Sequence, residues 1–178
     1  MRRALPLLAL ALLAAPSRGQ EATPAPRVAI SPRGAEEIAV GPGRMRVEYS
    51  RPFVRGRKVF GGLVPWGQVW RTGANAATTL TTDVDVTLGG IPVPKGVYTL
   101  YTLPGEKQWT LIVNRQTGQW GTEYDPKRDL VRIPMKSLPR SDFREAMTIS
   151  FVPEDAFRGS LQLSWEKRVL SVSYAYRK

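Results

Sequence analysis

The chain has 178 residues, with 26 Lys and Arg against 15 Asp and Glu, a formal charge of +11, and neither cysteine nor histidine. Those two absences remove disulfide scaffolds, thiolate nucleophiles, imidazole bases and the commonest zinc ligands together. A domain of about 150 residues buries roughly 68–70% of its unfolded surface, so stability is expected to come from one apolar core.

The first 19 residues, MRRALPLLALALLAAPSRG, join Arg2 and Arg3 to an apolar run and then to small residues around Arg18. This pattern predicts a signal peptide over residues 1–19, cut after Gly19 or, as the alternative, near Ala15. No later run approaches the roughly 20 apolar residues of a membrane-spanning helix, and with no cysteine a lipid anchor is not expected. Loss of Arg2, Arg3 and Arg18 takes the charge from +11 to +8, which favours anionic partners. The basic residues are scattered and no nucleic-acid motif is present, so an exported chain of this kind is expected to meet an anionic envelope polymer and not nucleic acid. No cofactor motif is read, and nothing in the sequence fixes an oligomeric state.

Residues 20–40 carry Pro24, Pro26 and Pro32 and are predicted as an extended linker or loosely docked arm, with a single domain over residues 41–178. Alternation with period two follows at Met45, Val47 and Tyr49 and again at Val84, Val86 and Leu88. Further strands are predicted over 97–102 and 109–114, then over 130–135, 147–152, 161–165 and 170–176, separated by Gly and Pro turns. Sustained helical periodicity is lacking. Many short strands of even spacing predict an all-β fold: an antiparallel β-sandwich, of jelly-roll type as one form, with a closed barrel as the alternative.

Between Arg51 and Asn75 this periodicity gives way to arginines, glycines and two tryptophans. The strings Tyr49-Ser50-Arg51-Pro52, Gly56-Arg57-Lys58-Val59-Phe60-Gly61 and Trp70-Arg71-Thr72-Gly73-Ala74-Asn75 resemble a secreted bacterial family catalogued as domain of unknown function 2911. Pro94 to Leu100, Asn114, Gln119-Trp120-Gly121, Tyr124, Asp129 to Arg132 and Trp165 extend the resemblance over Ser31–Tyr174. The chain departs from the pattern at Ala76, where an acidic residue is expected. The resemblance implies kinship and carries no activity with it.

Arg71 and Asn75 flank Gly73 in a loop able to aim a guanidinium fork and a carboxamide at one carboxylate, phosphate or sugar hydroxyl. The competing reading has both side chains donating to loop carbonyls. Arg57 extends the same site as a basic rim, or is a solvated charge. Trp66 and Trp120 sit in turns and are read as faces for a sugar ring, or as caps on the sandwich, whereas Trp109 and Trp165 lie in strand patterns and are read as core. Glu48, Glu123, Asp125 and Asp129 are the candidates for carboxylate-dependent glycan hydrolysis, which needs two of them facing one cleft. No metal set is read. The leading expectation is binding of a small polar or anionic ligand, a glycan or envelope fragment; the alternatives are that hydrolase and a structural or accessory envelope protein.

Overall fold

The computed structural model describes residues 30–178. The predicted signal peptide and the first part of the predicted linker, residues 20–29, lie outside the described residues. The rest of the predicted linker, from Arg33 onward, is a strand. β1 (Arg33–Val40) pairs along its whole length with β2 (Gly43–Ser50), from Arg33 opposite Ser50 to Val40 opposite Gly43. Proline punctuation ends at Pro32, and Ile38 and Val40 give the following segment enough apolar surface to join the sheet. Gly41 closes this hairpin with a left-handed φ of 56°, against the Tyr176 ring, where any side chain would collide.

Seven more strands follow: β3 (Thr78–Thr82), β4 (Val86–Leu88), β5 (Ile91–Val93), β6 (Gly96–Leu103), β7 (Trp109–Asn114), β8 (Asp129–Pro153) and β9 (Arg158–Tyr176). They hydrogen-bond in the order β1-β2-β3-β6-β7-β8-β9-β4-β5, all neighbours antiparallel. The sheet does not close into a barrel. β8 makes it a two-layered sandwich: residues 129–135 pair with β7, and residues 136–153 pair with β9. The segments predicted separately as 130–135 and 147–152 are thus one bent strand, and those at 161–165 and 170–176 are one strand too. The interruptions in apolar alternation mark irregular register: β8 passes from Pro139 opposite Arg168 to Arg144 opposite Glu166.

The core lies between the layers, with Trp109, Trp165, Tyr174 and Met45 fully buried in it. Alternation explains the outer strands: Met45, Val47 and Tyr49 point inward while Glu48 faces out. β6, between β3 and β7, is buried from Tyr98 through Thr102. Residues 51–77, between β2 and β3, contain no strand and run across one end of the sandwich. Isolated bridges tie this segment to the layers, Phe53 to Ala146 and Trp70 to Thr102.

Candidate functional site

The turn Arg71–Asn75 is built on unusual backbone. Thr72 and Asn75 have φ of 55° and 60°, left-handed values that cost about 1–3 kcal/mol for a non-glycine residue and most for a β-branched one. Polar contacts of the buried threonines hold it. The Thr72 hydroxyl lies 3.3 Å from that of Thr102, the Thr78 hydroxyl donates to the Thr72 carbonyl at 2.9 Å, and Trp70 exchanges two main-chain bonds with Thr102. Trp70 also stacks on Trp165, their ring centres 5.9 Å apart. Gly73 lies so close to the Ser50 carbonyl and the Thr78 hydroxyl that a Cβ would meet them at 3.1 and 3.0 Å.

This frame leaves Arg71 in an uncommon state. Its Nε is buried with no hydrogen-bond partner, and no carboxylate or carbonyl among the described residues engages its guanidinium. A buried donor of this kind ordinarily finds an acceptor, because leaving it unpaired costs about 1–3 kcal/mol. The aliphatic stem of Arg71 packs on Gly121, where a Cβ would come within 2.4 Å of Arg71 Cδ and 2.6 Å of the Asn75 carbonyl oxygen. The Gly121 amide donates to that carbonyl at 3.2 Å, and Ala76 forms a bridge with Trp120. The Asn75 carboxamide is exposed and unpartnered among the described residues, and the Trp120 ring is 53% exposed. Arg71, Asn75 and Trp120 therefore belong to one cluster. The carbonyl-tying bonds that would make Arg71 and Asn75 purely structural are not formed among the described residues.

Beside the cluster is an open cleft of about 320 Å3. Arg33, Gly34 and Ala35 of β1 and Glu48, Tyr49 and Ser50 of β2 form one wall; Ala76, Ala77 and Thr79 form another, and Gly118 and Gln119 the third. Gln119 is anchored by donating through Nε2 to Thr99 at 3.1 Å and Tyr101 at 3.0 Å. Further bonds fasten its loop: Tyr101 donates to the Glu123 carbonyl, Thr99 to the Gln116 carbonyl, and Asn114 to the Asp125 carbonyl and Asp129 Oδ1. The third wall is preorganised by these contacts.

The other predicted residues lie apart from this cluster. Arg57 donates to the carbonyls of Val54 at 3.1 Å and Phe53 at 2.6 Å, tying its own turn, and does not line the cleft. Trp66 packs at the edge of the core, stacked on Phe60 and edge-on to Trp109 at 6.2 Å. Glu48 lines the cleft but is paired with Arg46 at 3.2 Å. Glu123 is exposed. Asp125 caps the 3-10 turn Pro126–Arg128. Asp129 accepts from Tyr124 at 2.7 Å and from Arg132 at 2.9 Å. Burial, reinforced by Asp129, pushes the Tyr124 hydroxyl up to about 12, so at neutral pH it remains a donor. Only one of the four carboxylates lines the cleft, so the geometry for paired-carboxylate hydrolysis is absent there. The Ser164–Lys167 string has the Ser-x-x-Lys spacing of some hydroxyl nucleophiles, but it lies in β9, with Ser164 buried and Lys167 exposed. Among the described residues no cluster of acidic side chains is arranged to hold a metal.

Sequence reasoning missed Arg33, Gly34, Ser50 and Thr79 as cleft residues. Arg33 and Gly34 fall in the segment read as linker, and Thr79 in a threonine run without apolar alternation; of the lining residues, Glu48 is a sequence candidate and Gln119 carries a signal as the neighbour of a turn tryptophan. No curated protein and no solved structure matches the chain. A family model described as protein of unknown function matches residues 31–174. That span takes in the strained turn, all three walls of the cleft and both layers of the sandwich, and the chain belongs to the family of proteins of unknown function designated DUF2911.

Proposed function

We propose that this protein binds a small anionic ligand, a glycan or envelope fragment bearing a carboxylate or phosphate, at the cleft beside Arg71. The observation that carries the reading is the unpartnered guanidinium of Arg71, held in a strained turn against Gly121. Arg71 does not itself line the cleft, so an anion seated there would meet the guanidinium through its terminal nitrogens, which also lack acceptors among the described residues, in a charge-assisted contact. Trp120, exposed and next in sequence to the cleft residue Gln119, offers an apolar ring face, and Gln119, Ser50 and Thr79 in the lining offer hydrogen-bonding groups for hydroxyls. Arg33, exposed on the first wall, adds a second cation. Export by the predicted signal peptide brings the chain to such ligands; the amino terminus of the secreted form is then expected near Gln20.

The test is a thermal-shift screen of uronic acids, sugar phosphates and their neutral counterparts. A bound ligand at a hundredfold excess over Kd stabilises the fold by about 2.7 kcal/mol, a rise of several degrees in Tm. Hits are expected among the anionic compounds, abolished by Arg71→Ala and weakened by Arg71→Lys, which lacks the planar fork. Binding unchanged in both Arg71→Ala and Asn75→Ala would overturn the site, and hits confined to neutral sugars would overturn the ligand class.

A further inference from the structure

Where β8 changes register, four of its residues, Arg140 to Phe143, face a single residue of β9, Lys167. The excess chain bulges out of the ladder. Leu138 and Phe143 are 56% and 52% exposed on or beside this bulge, so two large apolar side chains are open to an apolar partner there. Between the bulge and β9 lies a concavity of about 220 Å3, lined by Ser137, Leu138, Pro139, Lys167 and Arg168. Arg168 is positioned there by its bond to the Ser137 hydroxyl at 2.9 Å and by the Phe60 ring 5.2 Å beneath its guanidinium. Among the described residues, neither Lys167 nor Arg168 has a carboxylate partner. Residues 136–145 and 166–168 hold five Lys and Arg against three Asp and Glu, a net charge of +2. Asp142, held below the usual carboxylate range by the Arg140 guanidinium, is neutralised by Arg140 at 2.8 Å and Arg144 at 3.4 Å. Glu145 turns to the Arg55 amide at 2.8 Å.

We propose that this bulge is a docking surface for an anionic phospholipid bilayer, with a lipid phosphate in the Lys167–Arg168 concavity and the side chains of Leu138 and Phe143 in the interface. The combination selects a membrane over a soluble polyanion, because a polyanion returns nothing for exposed leucine and phenylalanine, whereas the acyl boundary does. Net positive charge draws the surface towards the headgroups. The backbone of the bulge lacks ladder partners, so it sits at the hydrated headgroup level and not in hydrocarbon. This site is separate from the cleft and does not depend on the ligand reading above.

All nine strands lie within residues 33–176, so a chain beginning at Gln20 retains the whole sheet and removes the apolar leader, which would itself enter bilayers. Its partition is measured by flotation with phosphatidylcholine vesicles, with and without phosphatidylglycerol, at low and high salt. Binding is expected to the phosphatidylglycerol vesicles alone and to weaken with salt. Lys167→Glu is expected to lower the partition coefficient about fivefold or more, and Phe143→Ser to do the same. Lys127→Glu, beyond the opposite end of β7 and equal in charge change, serves as control, and melting curves verify the fold of each variant. A wild-type chain that ignores phosphatidylglycerol overturns the proposal. So does a loss in Lys127→Glu equal to that in Lys167→Glu, which is bulk charge. Loss in Lys167→Glu with full binding in Phe143→Ser overturns the membrane assignment in favour of a polyanion.

Discussion

The two halves of the block from Arg51 to Asn75 have similar composition and opposite fates. In the first half the arginines are consumed by structure: Arg51 donates to the Met147 carbonyl and the Thr148 hydroxyl, Arg55 to the Ile30 carbonyl, and Arg57 to two carbonyls of its own turn. Trp66 joins the aromatic edge of the core. In the second half, Arg71 finds no acceptor among the described residues, and the nearby Trp120 faces solvent. The difference lies in the backbone. Residues 51–66 mostly lack a ladder, so their carbonyls and those they approach need donors, and guanidinium groups supply them. In the turn at 71–75 the Thr72 carbonyl accepts from the Thr78 hydroxyl and the Asn75 carbonyl from the Gly121 amide, so neither draws on the arginine. A cluster of arginines is thus not itself a site; the arginine that the fold leaves without an acceptor is the informative one.

Substitutions in the two halves should separate stability from binding. Trp66→Ala is expected to have the largest effect on the fold, about 3 kcal/mol from lost aromatic packing, and to lower Tm by roughly 6–12 °C. Arg51→Ala should cost about 1–3 kcal/mol by leaving the Met147 carbonyl unpaired, seen as a lower denaturation midpoint with unchanged slope. Gly121→Ala joins the two properties: crowding against Arg71 and the Asn75 carbonyl should cost about 1–3 kcal/mol and impair ligand binding together. Arg71→Ala breaks no hydrogen bond within the protein; relief of the unpaired Nε and loss of the stem's packing on Gly121 oppose each other, so stability should change by no more than about 1 kcal/mol while binding is removed. A large drop in Tm for that variant would erase the contrast between the halves.

The smallest effect concerns the third wall of the cleft. Tyr124 is pushed up to about 12 from its ordinary value of 10, so the folded state holds its proton more tightly than the unfolded chain does. Its contribution is therefore fully present below about pH 10 and is lost as pH rises through about 12. Tm is expected to be flat at neutral pH and to fall across that window, and Tyr124→Phe should reduce the fall. Burial raises Tyr49, Tyr98, Tyr101 and Tyr174 in the same direction, so some of the fall should persist in the variant.

The strands legible in the sequence were those with apolar alternation on one face, such as Met45, Val47 and Tyr49. β3, a run of threonines around Leu80, and β5, three residues with a central proline, were missed because their pairing is decided by neighbours. Trp109 and Trp165 were readable as core because each sits in a strand pattern. Trp66 and Trp120 occupy similar glycine-bounded turns, yet one packs on Phe60 and the other faces solvent, and no local signal distinguishes them. The cleft was only partly legible, since its walls come from three places in the chain that meet where β1, β2 and the turn before β8 converge.

The sequence by itself determined the all-β class, the lack of cysteine and histidine chemistry, and kinship across residues 31–174, because these depend on residue type, period and local strings. Only the tertiary structure decided which guanidinium between Arg51 and Asn75 was left without an acceptor among the described residues. Whether an arginine is free depends on carbonyls distant in the chain: Arg51 is matched by Met147, 96 residues away, and Arg71 among the described residues by none.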